Sequence, residues 1–303
     1  MSFHTLGCKL NFAETATFQR QFVDEGFGVV DFREESDVVL INTCSVTENA
    51  DRDARKAVRQ ALRRSPGAYV IVVGCYAQLR PDEIAAIDGV DLVLGAEEKF
   101  HVFAHADTAW RKDQVRIAVG DIDAADGFGV AYSAEQSGRT RAFLKVQDGC
   151  DYTCSYCTIP MARGGSRSES IEKTCEHARA IIAQGFHEIV LSGVNVGDFG
   201  AGREDSLHDL LVALLALEGD FRLRVSSIEP NLLSDDIIAL AVADSKLVPH
   251  FHMPLQSGSD EVLRLMRRRY NTAMYRDRVE AVLRVLPEAA IGIDVIVGMP
   301  GES

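Results

Sequence analysis

The sequence predicts a two-part α/β protein, a parallel sheet wrapped by helices followed by a partial (β/α) barrel. Three observations predict it. Strand-like apolar runs alternate with helical stretches along most of the 303 residues, a pattern that implies parallel sheets. Cysteines stand just past three of the first strands, at Cys8, Cys44 and Cys75, separated by 36 and 31 residues (44 − 8 and 75 − 44), close to the ~30 residues of one βαβ unit. The alternation loosens between Phe100 and Arg139 and then resumes for five βα steps, which suggests a barrel or an open part of one. The predicted division is a first domain over 1–125, a linker over 126–138 and a second domain over 139–303.

In the first domain the predicted elements are a strand from Phe3 to Leu6 and a helix from Glu14 to Glu25, closed by Gly26. A strand from Val38 to Asn42, a basic helix and a strand from Tyr69 to Val73 follow. Neighbouring strands lie about 4.8 Å apart, so residues at the carboxyl ends of nearby strands can converge in the crevice where open α/β sheets bind ligands. Burial alone would explain any one of the three cysteines, but not the same position in three successive units. A three-cysteine cluster site is therefore expected here. The acidic stretch Asp121-Ile122-Asp123 is no calcium loop, because Tyr132 stands where the bidentate Glu belongs. Gly127-Phe128-Gly129 is no dinucleotide fingerprint, since it lacks the third glycine and the preceding strand.

The second series runs strand Phe143–Val146, helix Ser170–Gln184 stopped by Gly185, strand Glu188–Ser192, and a helix opened by the capping box Ser206-Leu207-His208-Asp209. It continues with strand Arg222–Ser226, a helix after Ser234, strand His250–Pro254, a helix after Ser259, and strand Ile291–Val297. Cys175 shares an apolar helical face with Ile171, Ala178 and Ile182 and reads as a core cysteine.

Directly after the first of these strands comes Cys150-Asp151-Tyr152-Thr153-Cys154-Ser155-Tyr156-Cys157, spaced C-x-x-x-C-x-x-C. Thiolates are the usual ligands of iron-sulfur clusters, and a four-iron cluster held by three of them keeps one iron open for a small molecule. Zinc is the competing reading, but structural zinc wants four closed ligands, and no nearby His or Cys completes a set at finger-like spacing.

Composition narrows the class. The 47% hydrophobic and 25% charged content is that of an ordinary globular chain. Apolar runs such as Leu210 to Leu217 fall short of the ~18 residues a membrane helix needs, and Met1-Ser2-Phe3-His4 opens no signal segment. A cytoplasmic protein with no membrane partner is expected, in a reducing compartment that suits thiolate ligands, and seven cysteines in 303 residues are too sparse for a disulfide scaffold. The net charge of −13 argues against nonspecific nucleic-acid binding. Two basic clusters, Arg52, Arg55, Lys56, Arg59, Arg63 and Arg64, then Arg264, Arg267, Arg268 and Arg269, read as solvated helix faces. The stop at Gly298-Met299-Pro300-Gly301-Glu302-Ser303, in a strand-to-loop stretch, suggests a fragment of a longer protein.

The motif C-x-x-x-C-x-aromatic-C, with Tyr156 before the last cysteine, resembles the signature of the radical S-adenosylmethionine enzymes. The resemblance implies that the open iron is chelated by S-adenosyl-L-methionine, which an electron from the cluster cleaves to a 5′-deoxyadenosyl radical. Together with the three amino-terminal cysteines, the whole chain resembles the methylthiotransferase family. The motifs that carry this are Thr5-Leu6-Gly7-Cys8-Lys9-Leu10-Asn11, Gly74-Cys75-Tyr76-Ala77-Gln78, Ile159-Pro160-Met161-Ala162-Arg163-Gly164-Gly165-Ser166-Arg167-Ser168, Arg224-Val225-Ser226-Ser227-Ile228-Glu229-Pro230, His250-Phe251-His252-Met253-Pro254-Leu255-Gln256-Ser257 and Asp294-Val295-Ile296-Val297-Gly298-Met299-Pro300. They most resemble the MtaB-type branch.

The resemblance implies a flavodoxin/Rossmann-like first domain and a radical S-adenosylmethionine barrel that is incomplete at its carboxyl end. The resemblance leads to the expectation that the carboxyl-terminal RNA-binding β-barrel of the family's full-length members lies outside these 303 residues. It also implies two 4Fe-4S clusters, an auxiliary one on Cys8, Cys44 and Cys75 and a radical-generating one on Cys150, Cys154 and Cys157. The implied reaction places a methylthio group on carbon 2 of N6-threonylcarbamoyladenosine beside the tRNA anticodon. One S-adenosylmethionine methylates a sulfur on the auxiliary cluster and a second supplies the radical. The implied partners are the tRNA anticodon stem-loop and a reducing donor such as flavodoxin or ferredoxin, with the chain a monomer.

Expected cofactor contacts are Tyr156 and residues in loops after successive strands: Gly193, Asn195, Ser227, Glu229, Gln256 and Ser257. Each has a structural alternative, as a cap or a turn former, and His252 reads equally as a core histidine. Lys9, Arg163 and Arg167 are the candidate donors to the threonylcarbamoyl carboxylate, since charge-assisted hydrogen bonds are about twice as strong as neutral ones. For Lys9 a solvent-facing loop position is the equal alternative. Two sibling readings remain, methylthiolation of isopentenyladenosine in tRNA and of a ribosomal-protein aspartate. A reading from another class is a two-cluster electron carrier, which needs neither an open iron nor a barrel.

Overall fold

A computed structural model describes residues 1–44, 48–106, 110, 114–133 and 140–302. Residues 134–138 of the expected linker, Arg139 at the expected start of the second domain and Ser303 lie outside the described residues. The chain divides into two compact units, one made of Met1–Ser133 with Thr158–Gly165 and the other of Ala134–Cys157 with Ser166–Ser303.

The first unit is built on five parallel strands in the order β1 (Ser2–Thr5), β2 (Val38–Thr43), β3 (Tyr69–Gly74), β4 (Leu92–Leu94), β5 (Arg116–Ala118). Helices α1 (Lys9–Asp24), α2 (Glu48–Arg64), α3 (Cys75–Leu79), α4 (Pro81–Ala85) and α5 (Val102–His105) connect them, and β6 (Tyr132–Ser133) follows. β2 and β3 are buried along their whole length, as central parallel strands covered on both faces are. Phe18 and Phe22 of α1 pack with Val38, Leu40, Ile71 and Val73. Ala54, Ala57, Val58 and Ala61 of α2 pack with the alternate set Val39, Ile41, Val70 and Val72, so the two helices cover opposite faces.

Residues 28–30 explain how consecutive helices change sides. Before reaching β2 the chain runs along the outer edge of β1, where Val30 N donates to Met1 O at 2.9 Å and the Met1 amino group donates to Gly28 O at 2.5 Å. The winding direction therefore reverses between β1 and β2, the switch point at which open α/β sheets bind ligands outside their carboxyl ends.

Three details differ from the sequence reading. α1 starts five residues earlier than expected, at Lys9, because Leu10 is buried and makes the first turn part of the core. β4 and β5 were not recognised: β4 has three residues, and Arg116 and Ile117 of β5 are exposed, so neither shows a strand-length apolar pattern. The basic helix of the sequence is α2, whose Arg55 donates to Tyr76 Oη at 2.7 Å rather than standing wholly in solvent.

The second unit carries β7 (Ala142–Lys145), β8 (Gln147–Asp148), β9 (Arg167–Ser168), α7 (Ile171–Ala183), β10 (Glu188–Ser192), α8 (Leu207–Leu215), β11 (Arg222–Val225), α9 (Asp235–Ala243), β12 (His250–His252), α10 (Asp260–Leu265), α11 (Thr272–Val285) and β13 (Ala290–Gly292). α6 (Ile159–Arg163) belongs to the first unit. β7, β10 and β11 pair in parallel, single bridges Leu223–Leu247 and Ser227–His252 lead on to β12, and β12 pairs with β13. Sequence-order succession of parallel strands is the plan of a (β/α) barrel wall.

Side-chain caps start these helices where the sequence placed them. Ser170, Ser234 and Ser259 each accept from a first-turn N–H, and Ser206 with Asp209 closes a reciprocal capping box. The helix expected after Ser259 is two helices, because Arg267 at φ 58° ends α10, and Arg268 N returns to Leu263 O at 2.9 Å as in a helix-terminating turn. The last expected strand, Ile291–Val297, shrinks to Ala290–Gly292. Beyond it a single bridge, Gln256–Val295, replaces a ladder, and Val297 is 81% exposed.

Candidate functional site

In the first unit, sheet register brings the three strand ends level. Thr5 pairs with Asn42, and Thr43 with Gly74, so Cys8, Cys44 and Cys75 all emerge at the carboxyl edge, at and next to the switch point. Cys8 is the exposed cap residue of α1, while Cys44 and Cys75 are buried. Gly7 and Gly74 make the approach possible. Gly7 has φ +99°, and a Cβ there would lie 2.5 Å from Cys44 Cβ and 2.9 Å from its Sγ. Gly74 has φ +102°, with room for no Cβ beside Thr43 O at 2.4 Å. Only glycine combines this backbone with this proximity. Asn11 ties the loops further, its Nδ2 donating to Leu6 O at 2.7 Å and to Thr43 O at 3.0 Å.

In the second unit the cysteine loop leaves β8 through Gly149, at φ 69°. Gln147 organises its entrance. The Gln147 Nε2 group donates to Gly149 O at 2.7 Å and to Ser166 Oγ at 3.0 Å, and Oε1 accepts from Asn195 N at 2.9 Å. The far side of the loop is held by the turn between α10 and α11. Ser155 N donates to Met266 O at 3.2 Å and Ser155 Oγ donates to Leu265 O at 2.9 Å. Arg268 donates to Cys154 Sγ at 3.2 Å and to Tyr156 Oη at 3.4 Å, and pairs closely with Glu229. Its side chain is 5% exposed, which corrects the reading of the Arg264–Arg269 cluster as a solvated face: Arg268 is turned inward because Glu229 and a sulfur supply acceptors there.

Electrostatics follow from this burial. The Cys150 thiol is pushed up to about 11, first by burial and further by the neighbouring charges of Asp198, Cys157 and Cys154, against one lowering contact from Tyr152 N–H. A thiol whose ionisation cost is raised by two neighbouring sulfurs belongs to a donor set that a cationic metal centre relieves. The Tyr156 hydroxyl is pushed up to about 12, chiefly by burial. Burial lifts the Glu229 carboxyl above the usual carboxylate range, with Arg268 opposing.

The remaining predicted residues take these places. Gly193 abuts Gln147, whose Oε1 would lie 2.8 Å from a Cβ at that position. Asn195 is buried, donates to Asp198 at 2.8 Å and accepts from Glu229 N at 3.3 Å. Ser227 Oγ lies 2.8 Å from His252 Nδ1, and His252 Nε2 lies 3.2 Å from Asp294. Gln256 adopts φ 63°, and Ser257 is buried and accepts from Ser259 N at 3.2 Å. Cys175 is buried in α7. Lys9 is exposed and Arg167 half-buried. Arg163 is 2% exposed and donates to Glu14 and Asn11, so its guanidinium is committed inside the first unit.

Whether these residues fit iron-sulfur clusters and S-adenosylmethionine can be judged from the donors. Each cysteine set offers three sulfurs and leaves a fourth position open, as an exchangeable iron site requires. Among the described residues no three His, Cys, Asp or Glu side chains are drawn tightly enough together to cage a single metal ion. In the second unit the buried Oε2 of Glu229 and Oγ of Ser226 have no hydrogen-bond partner among the described residues, and such orphaned groups suit a polar ligand. The donor sets fit.

The class is defined by the barrel and its loop: the Radical SAM superfamily matches residues 144–303, and the uncharacterized protein family UPF0004 matches residues 1–95. The radical S-adenosylmethionine methyltransferase TsrM from Kitasatospora setae superposes with a TM-score of 0.65 over 97% of this chain and 66% of its own, at 16% identity, a likeness of fold. Threonylcarbamoyladenosine tRNA methylthiotransferase MtaB of Bacillus subtilis (strain 168) is 39% identical over 100% of this chain and 68% of its own length. The same-named protein of Aquifex aeolicus (strain VF5) is 38% identical over 100% and 74%. The tRNA-2-methylthio-N(6)-dimethylallyladenosine synthase of Akkermansia muciniphila is 31% identical over 99% and 70%. The chain belongs to the MtaB family of radical S-adenosylmethionine methylthiotransferases.

Proposed function

We propose that this protein adds a methylthio group to carbon 2 of N6-threonylcarbamoyladenosine beside the anticodon of tRNA. The observation that carries the reading is the level of likeness to proteins named for that reaction, 39% identity across the whole chain, against 31% for a relative named for the dimethylallyl nucleoside. In this reading residues 1–125 form the methylthiotransferase domain and residues 139–303 the radical domain, with 126–138 between them. Cys150, Cys154 and Cys157 hold one 4Fe-4S cluster, and Cys8, Cys44 and Cys75 a second. When bound, these clusters and S-adenosylmethionine supply a carbon radical and an activated methyl group, reagents that no amino-acid side chain provides.

The chain's own residues then position and insulate. Arg268 donates to Cys154 Sγ, a contact that would stabilise charge on this sulfur and tune the potential of a cluster held there. Glu229, with one oxygen on Arg268 and the other without a partner among the described residues, and Ser227 present polar groups to the cofactor, joined by Tyr156, Gly193, Asn195, Gln256 and Ser257. Lys9 and Arg167 are the proposed donors to the threonylcarbamoyl carboxylate. Arg163, paired with Glu14, acts through its neighbours instead. The tRNA anticodon stem-loop is the partner, flavodoxin or ferredoxin the class of electron donor, the cytoplasm the location, and the monomer the working form. Among the described residues no helix is long and apolar enough to cross a membrane.

The test is mass spectrometry of nucleosides from tRNA of a host lacking every methylthiotransferase, supplied with the full-length protein. Methylthiolated threonylcarbamoyladenosine is expected, and its isopentenyl counterpart is not. Modification of the isopentenyl nucleoside alone would overturn the substrate assignment and leave the family reading intact.

A further inference from the structure

Segment 158–165 starts immediately after Cys157, yet it is part of the first unit. It carries Arg163, whose guanidinium donates to Glu14 Oε1 at 3.0 Å, to Glu14 Oε2 at 3.4 Å and to Asn11 Oδ1 at 2.7 Å. Glu14 is fully buried and also meets Lys99 Nζ at 2.8 Å. Charged groups removed from water this completely persist only when paired and hydrogen-bonded in good geometry.

The geometry has a direction. A guanidinium has five donors and no acceptor, so the Asn11 amide must turn its oxygen toward Arg163. Its NH₂ group is thereby aimed at the carbonyls of Leu6, two residues before Cys8, and of Thr43, directly before Cys44. Cys8 Sγ lies 3.9 Å from the same Asn11 oxygen, and Asn42 Nδ2 donates to Asn11 O at 3.1 Å. A lysine at 163 would keep the charge, but its single ammonium lacks the fixed fork that serves carboxylate and amide together.

We propose that Arg163 is a positioning residue for the auxiliary site: paired with Glu14, it fixes the Asn11 amide in the orientation that joins the Cys8 loop to the Cys44 loop. This rests on the reading that Cys8, Cys44 and Cys75 hold a 4Fe-4S cluster. It assigns the arginine of the segment after the radical-site cysteines to the other cysteine set.

The test uses the whole chain with Cys150, Cys154 and Cys157 replaced by alanine, so that anaerobic reconstitution fills only the auxiliary site, with about four irons per chain. Adding Arg163→Met is expected to weaken iron binding about 10–100-fold, the usual cost of losing a partner that orients metal ligands. Arg163→Lys should fall between. Far-UV circular dichroism and the melting temperature of the iron-free chains separate this from unfolding. Should Arg163→Met fail to fold, Asn11→Ala decides, since it cuts the tie and leaves the ion pair. Retention of about four irons by a folded Arg163→Met or Asn11→Ala chain, with the parent's electron paramagnetic resonance signal, would overturn the proposal. A parent that binds no iron overturns the auxiliary-cluster reading and this inference with it, a failure distinguishable because it precedes any change at Arg163.

Discussion

The two cysteine sets reach their sites by opposite routes. Cys150, Cys154 and Cys157 lie on one loop, so their spacing is written in consecutive residues, with Gln147 just before the loop holding its entrance and Arg268, 114 residues on from Cys154, clamping its far side. Cys8, Cys44 and Cys75 lie on three strand ends, and what brings them together is the register of β1, β2 and β3. A local set therefore depends on its loop and its clamps, whereas a dispersed set depends on the sheet. A slip of one residue in the register would turn a strand's side chains to the other face.

The largest expected effect breaks the two apart. Cys150→Ala and Cys44→Ala should each remove about half of the iron taken up in anaerobic reconstitution, because thiolates anchor each cluster. Only Cys150→Ala should abolish reductive cleavage of S-adenosylmethionine. Iron content unchanged in Cys44→Ala would mean that the strand-end cysteines hold no cluster.

How much of this was legible in the sequence follows the same division. The C-x-x-x-C-x-x-C loop and the serine caps at Ser170, Ser206, Ser234 and Ser259 are local patterns, and the structure places the caps where the residues indicate. The strand-end cysteines were legible through their period, one per βα step. Arg268 was not, because its partners Cys154 and Glu229 stand 114 and 39 residues away and its neighbours Arg267 and Arg269 are solvent-facing. Gln147 and Glu14 were missed for the same reason. Arg163 was legible as a cation near the site but not as a buried one, since its partner Glu14 is 149 residues distant. β5 gave no signal because an exposed edge strand needs no apolar alternation.

A smaller effect sharpens the dependence of the dispersed set on backbone. Gly7→Ala would put a side chain on a left-handed backbone and against Cys44, at a cost of about 1–3 kcal/mol of strain. The melting temperature should fall and uptake of auxiliary iron should drop, with cleavage of S-adenosylmethionine retained. Gly185→Ala is the matched control, since Gly185 also has positive φ, +84°, but has nothing within 4 Å of an added Cβ. It should lower stability by about 1 kcal/mol and leave iron unchanged. Equal iron loss in both variants would show that strain, rather than the approach of the Cys8 and Cys44 loops, governs the site.

The smallest effect lies at the opposite end of the second sheet, where side chains serve stability rather than chemistry. Glu188 begins β10, with its side chain 8% exposed, and accepts from Arg224 Nε at 2.7 Å. Burial alone would raise its carboxyl, but the hydrogen bond and charge of Arg224, helped by Arg141 and Arg222, hold it below the usual carboxylate range. A depressed folded-state value means that the ionised form stabilises the fold above the unfolded carboxylate value of about 4.3. That contribution disappears as pH falls through the lower folded-state value. Glu188→Gln should therefore cost about 1.5 kcal/mol at neutral pH, the scale of a hydrogen bond to a charged group. The gap between the variant and the parent should close as pH falls through that depressed value, because both then carry a neutral group. Denaturant melts at pH 7 and at acid pH measure it directly. Iron uptake and cleavage of S-adenosylmethionine should be unchanged at neutral pH, because Glu188 sits at the amino end of its strand and the cysteine loop leaves from carboxyl ends. A gap that persisted undiminished in acid would assign the loss to packing rather than to the ion pair.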